Sequence, residues 1–230
     1  MKQKLLLLHG ALSTRHQFDH LLPELNKYLE ADAINFTGHG GLNIPVHGYS
    51  FKTFAHDILH YADAHQIERI NLFGYSMGGY AALYFARLFP DRVNRIMTLN
   101  VKFNWDPLST ARETAMLDAE KLALKVPGYA NQLMMQHGLN VWKQVLSNTA
   151  DMMQSLTKEV LLTDADFSQL DIPVLLAVGD HDTTAGLEDT LRVYRLLKNA
   201  RLWVLPGTSH PFEQSDEKAL IHELIRFFAD

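Results

Sequence analysis

The chain contains no cysteine. That excludes a disulfide framework, a thiolate metal site and a cysteine nucleophile, and it fits a reducing compartment, so a cytoplasmic location is expected. Long hydrophobic runs are missing as well. The run in MKQKLLLLHG ends at once at His9 and is too short for a signal-peptide core, and no other stretch approaches membrane-spanning length. Strong charge of one sign is also lacking. The net charge is −5, with Lys and Arg spread along the chain rather than clustered, which leaves no electrostatic footprint for nucleic acid or an anionic membrane. The expected partner is therefore a small-molecule substrate, with no nucleic acid and no membrane. What the chain does have is apolar sequence, 47% of 230 residues, enough to close one compact domain with room for an insertion.

Short β-type runs alternate with helical patterns, the signature of crossover units on a parallel sheet. Strands are expected at KLLLL (4–8), AINF (33–36), RINLF (69–73), RIMTLN (95–100), PVLLAV (173–178) and ARLWVL (200–205). Helical spacing of apolar residues falls at 15–29, 51–65, 77–89, 186–198 and 215–229. The connection over 101–168 is too long for a simple crossover; it is helical, Met-rich and amphipathic, with Pro127-Gly128 as an internal break. It reads as a helical cap inserted into a core formed by 1–100 and 169–230.

One stretch carries chemistry. GYSMGG at 74–79 places Ser76 between the strand RINLF and the helix that starts near Met77, the context in which a G-x-S-x-G turn is meaningful. Gly74 and Gly78 answer to a turn too sharp for a Cβ, and the following helix N-terminus offers the Met77 N–H to an oxyanion. The bland alternative is a glycine turn whose serine caps the helix.

A serine hydroxyl needs a base. His16 and His20, and His56 and His60, stand four apart on helical stretches, yet no third ligand accompanies either pair, so no metal is expected. His210, in PGTSHPF, follows the last strand at the carboxyl edge of the sheet, where open parallel sheets place their chemistry. VGDHD after the strand PVLLAV offers Asp180 and Asp182 on the same edge to orient an imidazole.

Four matches in one order resemble the α/β-hydrolase superfamily over nearly the whole chain. LLLLHG at 5–10 resembles its strand and His-Gly loop, GYSMGG its nucleophile elbow, GDHD its acid loop and GTSH its base loop. The resemblance implies Ser76 as nucleophile, His210 as general base and acid, Asp182 as the orienting carboxylate, and the Ala11 and Met77 backbone N–H groups as the oxyanion hole. His9 is then structural, and neither metal nor organic cofactor is implied. The family's first two strands are expected to be absent. A mostly parallel six-stranded sheet follows, in spatial order 2-1-3-4-5-6, its bare edge open to homodimerisation. NFTGHG departs from the family pattern, with Asn35 and Thr37 in place of an acid and a proline, and TTAG after Asp182 departs as well.

These residues imply a serine hydrolase that cleaves a small apolar ester, thioester or similar carbonyl substrate through an acyl-enzyme on Ser76. Two alternatives stand beside it: a ligand sensor or binding module of the same fold with little turnover, and an acyltransferase or C–C bond hydrolase. Specificity is expected in the cap. Phe103, Trp105, Tyr129, Met134, Met135, Trp142, Met152 and Met153 supply its apolar surface, most of it packing; Leu12, Trp105 and Trp142 are the substrate-contact candidates. Mixed charge in the cap argues against a dedicated pocket for a large anion.

Overall fold

A computed structural model describes residues 2–229. Among the described residues, six strands form one sheet: β1 (Lys4–Leu8), β2 (Glu30–Ile34), β3 (Ile70–Tyr75), β4 (Val93–Leu99), β5 (Val174–Gly179) and β6 (Ala200–Leu205). Every neighbouring pair is parallel, in the order β2-β1-β3-β4-β5-β6. The central strands read as continuous apolar runs because both faces are covered. In β1, Leu6 and Leu8 enter one apolar cluster and Leu5 and Leu7 the other, as the two-residue period of a strand requires.

On the first face lie α2 (Phe51–Ala64), α3 (Met77–Leu88) and α9 (Leu187–Leu196). On the second lie α1 (Leu22–Leu25) and α10 (Glu217–Phe228), the latter burying Leu220, Leu224, Phe227 and Phe228 along one stripe. Ser50 caps α2 by accepting the Thr53 N–H at 3.1 Å, and Asp216 caps α10 by accepting from Ala219.

Two elements differ from the sequence expectation. The helical pattern over 15–29 resolves into a 3-10 turn at Arg15–Phe18 and the single turn α1, whose second residue is Pro23, tolerated because it lies in a first helical turn. The second strand lies at Glu30–Ile34 rather than 33–36, because pairing with β1 sets it: Lys4 stands opposite Glu30 and Leu8 opposite Ile34. Phe36 is fully buried, yet it belongs to the loop beyond the strand, where its ring meets His9 at 5.0 Å.

Between β4 and β5 run five helices: α4 (Pro107–Ala115), α5 (Ala119–Lys125), α6 (Pro127–His137), α7 (Trp142–Leu156) and α8 (Asp164–Gln169). Asp106, Asp118 and Thr163 cap α4, α5 and α8, so the segment is helical by local chemistry as well as by packing. The break at Pro127 falls between α5 and α6, with the proline opening the second helix. No helix among the described residues is long and apolar enough to cross a membrane.

Candidate active site

Ser76 stands where β3 turns into α3, with φ 50° and ψ −113°. A non-glycine residue in that region carries about 1–3 kcal/mol of strain, held in place by its surroundings. Here the Ser76 N–H donates to the Leu99 carbonyl at 2.8 Å. A Cβ on Gly74 would lie 2.4 Å from the Gly78 backbone, and one on Gly78 would lie 2.1 Å from the Leu8 carbonyl oxygen, so both positions need glycine. The serine side chain makes no capping bond to the helix. Its Oγ instead lies 3.2 Å from His210 Nε2.

His210 follows β6 and is held through its own carbonyl, which accepts from the Tyr75 hydroxyl at 2.9 Å and from Asn100 Nδ2 at 3.2 Å. Burial raises the pKa of the Tyr75 phenol, which keeps it a donor. Asn100 directly follows β4 with φ 55°, a conformation that asparagine tolerates better than most residues. Its Oδ1 accepts the Gly179 N–H at 2.9 Å, so one side chain joins the end of β5 to the loop that carries His210.

Asp182 Oδ2 accepts from His210 Nδ1 at 2.8 Å, while its Oδ1 accepts the Thr184 and Ala185 N–H groups, each at 2.8 Å. Its side chain is fully buried. With Nδ1 donating to a fixed carboxylate, the Nε2 lone pair of His210 is left facing the Ser76 hydroxyl. Asp180 takes a different part: its Oδ1 accepts the Thr208 N–H at 3.3 Å and steadies the loop that leads to His210.

Ala11 and Met77 both face the cavity beside Ser76. Met77 is the first residue of α3, where backbone N–H groups lack intrahelical acceptors. The loop carrying Ala11 is braced by the Gly10 N–H on Gln17 Oε1 at 3.0 Å and by the Ser13 N–H on the Gly10 carbonyl. His9 is buried and bonded at both ring nitrogens, donating to the Gly10 carbonyl at 2.8 Å and accepting the Phe36 N–H at 3.1 Å. It lies in the scaffold of the loop.

A cavity of about 750 Å³ lies over Ser76 and His210, between the sheet edge and helices α4 to α7. Leu12 and Trp105 line it, together with Tyr129, Met152 and Met153. Trp142 does not. It is buried in the apolar core at the start of α7, ten residues from Met152 on the same buried stripe, or about 15 Å along the axis. Phe103 packs against Phe167, while Met135 is exposed. Lys102, Lys121 and Lys125 reach the cavity too; Lys102 pairs with Glu113 at 2.5 Å and Lys121 with Asp118 at 2.9 Å. No group of three or more His, Asp or Glu side chains among the described residues is placed to hold a metal ion.

Three residues at the site have no local sequence signal. Tyr75 and Asn100 bond the base loop from neighbouring strands, and His137 reaches the loop of Ala11 from α6. In these three bonds the partners are 110 to 135 residues apart in the chain, beyond the reach of any spacing rule.

Residues 4–149 match the family model of the alpha/beta hydrolase fold. The chain belongs to the α/β-hydrolase family, and it is a hydrolase of that fold. It is similar to the pimeloyl-(acyl-carrier protein) methyl ester esterase of Neisseria meningitidis, 29% identical with 91% of this chain and 87% of that protein covered. Among solved structures, it resembles the enol-lactonase of Burkholderia xenovorans LB400 (19% identity, TM-score 0.78, covering 100% of this chain and 92% of that one). It also resembles the thermophilic esterase of Thermogutta terrifontis (19% identity, TM-score 0.78, covering 99% and 89%). At those identities the likeness is one of fold.

Proposed function

We propose that this hydrolase is a serine esterase, of carboxylesterase or thioesterase type, acting in the cytoplasm on an ester with an apolar acyl or alkyl portion. The observation that carries this reading is the bonded series Ser76 Oγ, His210 Nε2, His210 Nδ1 and Asp182 Oδ2, with separations of 3.2 and 2.8 Å, at the floor of a mostly apolar cavity. The similarity to a methyl ester esterase is consistent with ester chemistry.

In this reading His210 takes the Ser76 proton as Oγ attacks the carbonyl carbon, and the resulting oxyanion is held by the Ala11 and Met77 N–H groups. The imidazolium, stabilised by Asp182, then protonates the leaving alcohol or thiol. Water, deprotonated by His210, attacks the acyl-enzyme, and the acid departs as Ser76 regains its proton. The cap helices supply Trp105, Tyr129, Met152 and Met153 to the cavity wall, a soft surface suited to an apolar chain.

The test is the intact mass of the protein after exposure to a fluorophosphonate, with Ser76→Ala alongside. One adduct on the wild type and none on the variant is the expected result. A folded wild-type protein that stays unmodified and hydrolyses no ester overturns the reading.

A further inference from the structure

His137 ends α6 with its imidazole 2% exposed, and both ring nitrogens are engaged. Nε2 lies 3.0 Å from the Leu12 carbonyl, which can only accept, and Nδ1 lies 3.1 Å from the Gly40 N–H, which can only donate. The two partners therefore fix one neutral tautomer, with the proton on Nε2. Leu12 directly follows Ala11 and has φ 61°, a left-handed conformation that costs a leucine energy and needs external support. The Leu12–Gly40 frame is continued by other rings: His39 lies 5.8 Å from His137 and 5.0 Å from His9, with Tyr49 stacked on it at 4.8 Å.

We propose that His137 is a positioning residue for the oxyanion loop: its Nε2–H, delivered by a cap helix, holds the Leu12 carbonyl and so sets the direction of the neighbouring Ala11 N–H. The consequence is that the oxyanion hole is complete only when α6 is seated on the core. Because α6 also brings Tyr129, Gln132 and Gln136 to the cavity wall, displacement of the helix by a poorly fitting substrate would withdraw an oxyanion donor from the reacting carbonyl. Substrate fit in the cap would then register in the rate of the chemical step as well as in binding. This rests on the acyl-enzyme reading of Ser76.

The two bonds of His137 can be separated by substitution. In His137→Gln the terminal amide nitrogen takes the place of Nε2 and keeps the Leu12 bond; in His137→Asn the shorter amide reaches only the Gly40 side. Steady-state hydrolysis of an aryl ester by the full-length protein is measured for both, with thermal unfolding as a control for folding. The expected result is a kcat for His137→Asn lowered by about tenfold or more, KM within about twofold of wild type, and His137→Gln retaining most of the lost rate. Equal kcat for the two variants, or a change confined to KM, overturns the proposal. Should His137→Asn fail to fold, His137→Phe, which keeps the ring and loses both bonds, takes its place with the same expectation. Fluorophosphonate labelling of the wild type is run in parallel. An unlabelled wild type removes the Ser76 reading, whereas a labelled wild type with equal variants removes only the role of His137.

Discussion

Asp182 and His210 sit on loops that follow adjacent strands, β5 and β6, and the 2.8 Å bond between Oδ2 and Nδ1 is one of three that the carboxylate accepts. Asp182→Asn separates these bonds. The amide oxygen can keep the Thr184 and Ala185 N–H groups, but the amide nitrogen must then face Nδ1. That drives the imidazole to the tautomer with its proton on Nε2, where it cannot accept from Ser76. The expected loss in kcat is about ten-thousandfold, with thermal unfolding nearly unchanged. Asp180→Asn, whose carbonyl oxygen can still accept from Thr208, should leave kcat within about threefold of wild type. Ester hydrolysis by the two variants decides between the acids.

The elbow is predicted to be intolerant of a single methyl group. In Gly78→Ala the new Cβ would lie 2.1 Å from the Leu8 carbonyl oxygen, so α3 must move away from β1. Overpacking at a rigid contact of this kind costs about 1–3 kcal/mol. The movement also carries the Met77 N–H off its position, so activity should fall further than stability. Urea unfolding and kcat measured on the same sample check both parts.

Much of this arrangement is legible in the sequence because it is local or periodic. The parallel strands follow from apolar runs separated by helical patterns, their spatial order from the family resemblance, and Ser76, Asp182 and His210 each stand at a strand end in a short motif. What escaped depends on partners distant in the chain. EADAI does not look like a strand, yet pairing with β1 makes Glu30–Ile34 the edge of the sheet. Asn35 and Thr37, where an acid and a proline were expected by resemblance, have local work: Asn35 Oδ1 accepts the Arg15 N–H at 2.7 Å, and Thr37 donates its N–H and hydroxyl to Asp57. Trp142 was misplaced because the period of α7 shows which face is buried but not which end of that face meets the cavity.

Acid should destabilise the protein through its buried histidines. Burial lowers the His9 pKa from 6.5 to about 4, and it lowers those of His39 and His137 as well. Between those values the unfolded chain binds protons that the folded chain refuses, so stability is complete above about pH 6.5 and falls as pH drops toward 4. The contribution of His9 alone over that window is about 3 kcal/mol. Urea midpoints taken from pH 8 to pH 4 should be flat at first and then fall. In His9→Asn, whose amide has no comparable titration, the fall should be shallower. An unchanged slope would show that His9 is not among the groups responsible.

The Lys102–Glu113 pair makes the last prediction, because both side chains line the cavity and both are largely buried, at 7% and 16% exposure. Lys102 also donates to Ser109 Oγ at 3.0 Å, and its Nζ lies 5.4 Å from the centre of the Trp105 ring. Removing one partner leaves the other charged and poorly solvated. Glu113→Gln is therefore expected to destabilise the protein by about 1–3 kcal/mol, below the cost of breaking a fully enclosed pair because the cavity admits water. Replacing both, as Lys102→Met with Glu113→Leu, removes two desolvated charges together and should recover most of that loss. The same double variant turns a polar part of the wall apolar. Its kcat/KM should rise for esters with longer alkyl chains relative to short ones, while Ser76 labelling is retained. Thermal unfolding of the single and double variants, with hydrolysis of a series of esters of increasing chain length, measures both effects. A double variant no more stable than Glu113→Gln would mean that the pair contributes more by attraction than it costs in desolvation.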